Sequence, residues 1–111
     1  MAIYRMYTGD DRHSHIEEQT FTTHPLLGEP RSPVHFQFHE VSPDFSNDWH
    51  PAPERLCFVV LEGQIELGVR AGTTRLNRGD AAVVEDTSGS GHTMRVSSDT
   101  PAVTAVIRFA D

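Results

Sequence analysis

Lysine is missing from this chain: all nine of its basic residues are arginines. That absence excludes Schiff-base chemistry on a lysine amine and the phosphate cradle of a P-loop. Cysteine occurs once, as Cys57, so neither an internal disulfide nor a cysteine-built zinc finger can form, and the residue reads as a small core side chain. No apolar run approaches the ~18 to 20 residues of a membrane span. The leading segment MAIYRMYTGDD carries neither the apolar stretch nor the small-residue cleavage site of a secretory signal, from which a cytoplasmic protein is expected. Positive charge is also scarce, nine basic against sixteen acidic residues leaving a formal charge of −7. Nucleic-acid affinity comes largely from Lys and Arg neutralising phosphates, so no nucleic-acid partner is expected, and no membrane partner either.

A helical stripe is absent as well. Gly and Pro recur so often that the longest stretch without them is Asp10 to His24, and its apolar residues, Ile16 and Phe21 among them, fall on no common helix face. What recurs is short β-rich runs bounded by turn residues: Ile3 to Tyr7, Ile16 to Thr22, Val34 to Val41, Leu56 to Glu62, Gln64 to Arg70, Thr73 to Leu76, Ala81 to Glu85, His92 to Ser97, and Ala102 to Phe109. Ala71-Gly72 suits a tight hairpin, and Asn77-Arg78-Gly79-Asp80 suits a turn with one residue at positive φ. About nine short strands must hide their edges, and the economical solutions at this length are all-β: an antiparallel jelly-roll β-barrel or another closed barrel. The 111 residues suffice for one core. A single domain over 1–111 is expected, with 1–33 supplying N-terminal strands and an arm. The long irregular stretches, His24 to Pro33 and Ser42 to Pro53, both carry proline.

Seven histidines stand out: His13, His15, His24, His35, His39, His50 and His92. His50 lies in Asp48-Trp49-His50-Pro51-Ala52-Pro53, where two prolines stiffen the backbone just before a strand and can hold an imidazole in one direction. His92 follows the turn Thr87-Ser88-Gly89-Ser90-Gly91, whose glycines permit close backbone approach. The plainer reading of His50 is a surface loop histidine, and that of His92 a polar residue at a barrel rim.

The order of His50, the run Cys57-Phe58-Val59-Val60-Leu61-Glu62-Gly63, the turn Arg78-Gly79-Asp80 and then His92 resembles the cupin pattern over roughly half the chain. In cupins a first motif carries two histidines and a glutamate, a second motif adds a further histidine, and together they hold a metal. By that resemblance His50 and His92 occupy two ligand positions, while Ala52 stands in place of the second histidine and Leu56 in place of the glutamate. The resemblance implies a divalent transition metal (Fe, Ni, Zn or Mn) on His50 and His92 only if Glu54, His35 or His39 completes the set. Without a metal, the two imidazoles facing an apolar lumen are candidate general acid and base.

With Leu56 taken as inward by analogy with the family's glutamate, strand alternation places Phe58 and Val60 in the lumen and turns Cys57, Val59 and Leu61 away. The same parity sets Met94 and Val96 inward with His92. The expected ligand-binding residues are therefore Leu56, Phe58, Val60, Met94 and Glu54, around a small organic molecule rather than a highly charged sugar nucleotide. His35, Gln37 and His39 share one face of a strand and Phe36 and Phe38 the other, with nothing in the parity to say which is inward. His13 and His15 read as solvated surface beside Asp10, Asp11 and Glu17. Adjacent Glu85 and Asp86 point to opposite faces, so at most one belongs to a site. Three roles follow as expectations: an enzyme of dioxygenase, isomerase or lyase type, a non-catalytic binding or sensing module, or a barrel that self-associates. A homodimer, formed through the N-terminal strands Ile3 to Tyr7 and Ile16 to Thr22, is compatible with all three.

Overall fold

The computed structural model describes residues 1–23 and 29–109, and these residues form strands and turns without helices. The nine strands of the described residues are β1 (Ile3–Thr8), β2 (Ser14–Gln19), β3 (Pro33–Val41), β4 (Leu56–Glu62), β5 (Ile65–Val69), β6 (Gly72–Leu76), β7 (Ala81–Val84), β8 (Thr93–Val96) and β9 (Ala102–Phe109). They form a six-stranded sheet in the order β2-β1-β7-β4-β9-β3 and a three-stranded sheet in the order β6-β5-β8. This is the jelly roll expected from the sequence, with one exception to antiparallel pairing: β1 runs parallel to β7. No described helix is long and apolar enough to cross a membrane.

Alternation along the strands builds the core. On β4, Phe58 and Val60 are buried while Cys57 and Val59 are half-buried and Leu61 is exposed, as the parity argument requires. These meet Met6 of the large sheet and Ile65, Leu67 and Leu76 of the small one in a single apolar cluster. The central strand β7 consists of small residues, Ala81-Ala82-Val83-Val84, and all four are buried.

Two local expectations are corrected. β2 ends at Gln19 and not at Thr22, because the hydroxyl-rich Thr20 to Thr23 segment closes on itself: Thr23 donates its amide to the Thr20 carbonyl (3.1 Å) and accepts the Thr20 amide on Oγ1 (2.8 Å). The tight hairpin turns on Arg70-Ala71, since Val69 pairs with Gly72. The Asn77 to Asp80 turn is as expected, with Gly79 at φ +90°. Of the irregular stretch His24 to Pro33, residues 24–28 lie outside the described residues.

The other irregular stretch, Ser42 to Pro53, is less loose than its prolines suggest. It runs along β8 through the isolated bridges Ser46 to Arg95 and His50 to His92. Asn47 donates to the Met94 carbonyl (3.2 Å) and receives the Met94 amide on Oδ1 (2.8 Å). Prolines at 43, 51 and 53 forbid a continuous ladder, yet the segment extends the small sheet and carries His50 to it.

Candidate functional site

The two histidines predicted to meet are joined first through their backbones. His50 donates to the His92 carbonyl (3.1 Å) and His92 donates to the His50 carbonyl (2.9 Å). Gly91 makes this approach possible: it sits at φ +76°, and a Cβ there would collide with the His50 carbonyl group. The imidazoles follow, with ring centroids 4.8 Å apart and planes tilted by 51°.

Each ring is held by its Nδ1. That of His50 lies 2.9 Å from the Asp48 carbonyl, and because a carbonyl only accepts, this nitrogen carries the proton. His92 Nδ1 lies 2.6 Å from Asp86 Oδ2, which also accepts the Ser14 hydroxyl at 2.6 Å. Asp86 is fully buried and its other oxygen, Oδ1, has no partner, so the carboxylate is answered through Oδ2 alone. The Ala52 amide, donating to the Asp86 carbonyl at 2.9 Å, ties this residue to the His50 segment. Both rings thereby keep Nε2 free on the side away from these partners, His92 as a buried residue and His50 as a half-buried one.

The rings line a cavity of about 210 Å³ between the sheets. Its apolar wall includes Met6, Leu56, Phe58, Leu67, Met94 and Val106, and its polar groups are Gln37, His39, His50, His92, Thr104 and Arg108. Of the residues expected at a ligand, Leu56, Phe58 and Met94 line it. Val60 does not: it has no exposed surface and packs within the core cluster. Glu54 does not line the cavity either; its Oε1 lies 3.0 Å from Arg108 Nε at the rim.

Strand β3 resolves the choice parity left open: Gln37 and His39 line the cavity while Phe36 and Phe38 point outward, 56% and 67% exposed. His35 shares the inward face but is not among the lining residues. Glu85 and Asp86 diverge: Asp86 turns to His92, while Glu85 is bound by Arg5 (2.9 Å) and Arg55 (2.7 Å). His15 pairs with Asp11 (2.9 Å) and His13 with Ser90 (2.8 Å) at the surface, and the His15 contact holds the Asp11 carboxyl below its usual value. Burial pushes the Cys57 thiol up to about 11, consistent with an inert side chain turned away from the cavity. His24 lies outside the described residues.

Sequence reasoning missed Ser14, Arg108 and Thr104 as site residues and left Asp86 unassigned. Alternation along Ala102-Val103-Thr104-Ala105-Val106-Ile107-Arg108 held a signal for two of them, since Thr104, Val106 and Arg108 share a face with buried Ala102. Ser14 had none: its hydroxyl reaches Asp86 across 72 positions of sequence.

The cupin-domain family profile matches residues 34–108. The chain belongs to the cupin family. Three solved structures carry the same fold at low identity. A sugar phosphate isomerase of the cupin superfamily from Silicibacter pomeroyi is 23% identical with a TM-score of 0.57, covering 72% of this cupin and 52% of its own chain. A cupin-domain protein from Bordetella pertussis Tohama I is 22% identical with a TM-score of 0.53, over 75% and 88%. Drosophila melanogaster CENP-C, solved bound to CAL1, is 13% identical with a TM-score of 0.54, over 93% and 78%. A search of curated proteins finds no match.

The metal that the family implies does not fit the residues of this cupin. Buried Ala52 and cavity-lining Leu56 put hydrocarbon where two ligands are needed. No three His, Cys, Asp or Glu side chains converge among the described residues, so neither Glu54, His35 nor His39 completes a set with His50 and His92.

Proposed function

We propose that this cupin is a single-domain cytoplasmic protein that takes a small organic molecule into the inter-sheet cavity and moves a proton on it with His92, His50 serving as the second acid or base. The observation that carries this reading is the 2.6 Å contact of His92 Nδ1 with the fully buried Asp86. A carboxylate behind an imidazole fixes its tautomer and stabilises the imidazolium formed when Nε2 takes a proton. The apolar lining supplies a water-poor setting in which such a transfer is effective. Isomerisation or lyase chemistry needs only these groups, whereas a dioxygenase would need a metal set that the residues do not form.

A non-catalytic binding or sensing module is the second reading, favoured by the small number of polar groups in the cavity. The fold does not choose between them, since a sugar phosphate isomerase and a protein-bound CENP-C both have it. The two separate by incubating the protein and its His92→Ala variant with a metabolite extract and following compounds by mass spectrometry. Depletion of a compound by the native protein alone, unchanged by chelator, is the expected result. A compound retained unaltered by the native protein supports sensing, and no depletion or retention at all ends the small-molecule reading.

We also propose a homodimer. Of the N-terminal strands named from sequence, β1 is paired on both sides, by β2 and β7, while β2 ends the six-stranded sheet at one side. β3 ends it at the other and is the surface we favour: all its residues but Val41 are exposed, and Val34, Phe36 and Phe38 are apolar among them. A nine-residue edge strand with such a face is a strong template for a second copy under two-fold symmetry. Phe38→Glu is expected to yield monomers in light scattering at concentrations where the native protein is dimeric; a native monomer at those concentrations removes the proposal.

A further inference from the structure

The polar lining of the cavity has a sign. Gln37, His39, His50, His92 and Thr104 carry no formal charge in their neutral forms, and among the described residues no Asp or Glu lines the space and Arg108 is its one formal charge. This is the reverse of the molecule as a whole, at −7. Arg108 projects from β9 beside Leu56 of β4 and His35 of β3, its register partners, so it belongs to the large sheet, while His92 adjoins the small one.

Its bonding is incomplete. Guanidinium offers five N–H donors in a fixed fork. Arg108 Nε is buried without a hydrogen bond, because the nearby Glu54 Oε1, though 3.0 Å distant, lies off the N–H direction. Glu54 itself is about half exposed (51%) and belongs to the rim. An exposed ion pair of poor geometry contributes little and is readily exchanged.

We infer that the cavity is selective for a small monocarboxylate whose carboxylate docks on Arg108 and whose apolar body lies along Leu56, Phe58 and Val106 toward His92. A planar two-oxygen anion matches the guanidinium fork in a bidentate pair. Gln37 offers an amide donor on the same sheet. A phosphate dianion asks for further cations, and the lining has none. The volume, about 210 Å³, lies below the ~300 to 1,000 Å³ typical of drug-sized ligands and suits a molecule of metabolite size. The inference rests on the cavity being the binding site, as proposed above.

The test uses benzoate, benzamide and phenyl phosphate, which share a ring and differ in charge. Each is titrated into the full-length protein up to ~20 mM, above the millimolar affinity of a fragment, and followed by methyl NMR at Leu56, Met94 and Val106. Benzoate is expected to bind about tenfold or more tighter than benzamide, as one charge-assisted bond pair supports. Arg108→Gln should abolish that preference while keeping benzamide binding, and Glu54→Gln, which frees the guanidinium, should tighten benzoate severalfold. Equal binding of benzoate and benzamide, or a preference for benzoate that survives in Arg108→Gln, overturns the inference and leaves the cavity reading standing. A preference for phenyl phosphate overturns it in favour of a phosphate site. If no probe shifts the cavity methyls, the cavity reading falls and this inference with it.

Discussion

His92 and Arg108 face the same cavity from opposite sheets and are held in very different ways. His92 is buried, locked through its backbone to His50, and backed by a carboxylate that a serine hydroxyl also engages. Arg108 keeps a third of its side chain exposed and touches one mobile-length carboxylate at poor geometry, on sheet territory next to the uncovered strand β3. The difference fits the two tasks proposed for them. A group that transfers a proton gains from being fixed before the substrate arrives. A group that captures a ligand can exchange a weak partner for a better one, provided that partner is at the rim.

The contrast can be broken from the fixed side first, where the largest effect is expected. Gly91→Ala places a Cβ against the His50 backbone at positive φ, and it should cost about 3 kcal/mol or more in denaturant unfolding while separating the rings. A loss below ~1 kcal/mol would mean that the bridge is not tight. Asp86→Ala comes next. It strands a buried serine hydroxyl and the Nδ1–H of His92, for an expected loss of about 2 to 3 kcal/mol by the same measurement. Imidazole nitrogen NMR should show the His92 tautomer becoming mixed in that variant; an unaltered spectrum contradicts the tautomer role.

On the loose side, Arg108→Gln should change stability by less than ~1 kcal/mol, because only a half-exposed ion pair is lost. A cost as large as that of Asp86→Ala would erase the comparison. The smallest effect is expected at Cys57, outside both walls. With the thiol near 11, the thiolate is about one part in a thousand at pH 8, so alkylation should be slow and should quicken as pH rises toward that value. Arg108→Gln should leave this rate unchanged and Gly91→Ala should raise it, as read by mass shift over time.

Local pattern went far in this chain. The nine strands follow from β-rich runs between Gly and Pro turns, and alternation on β4 separates Phe58 and Val60 from Cys57, Val59 and Leu61 because a pleat has a period of two whatever its neighbours are. The pairing of His50 with His92 came from the cupin-like order of motifs. Strand parity set Val60 inward without placing it on the cavity, because inward parity does not distinguish a side chain lining the open end of a barrel from one packed in its closed interior.

The amino-acid sequence by itself determined where the strands run and which residues share a face, the absence of lysine chemistry, and the glycine that lets two backbones touch; the family resemblance added the inward choice on β4 and the two missing ligands at Ala52 and Leu56. Only the tertiary structure decided that Asp86 and Ser14 stand behind His92, that Arg108 places a formal charge on the cavity wall, and that Phe36 and Phe38 face outward. The physical reason is range. Propensity, turn chemistry and pleat parity act over a few residues, whereas these contacts join positions such as Ser14 and Asp86, brought together only when β1 pairs with β2 on one side and β7 on the other.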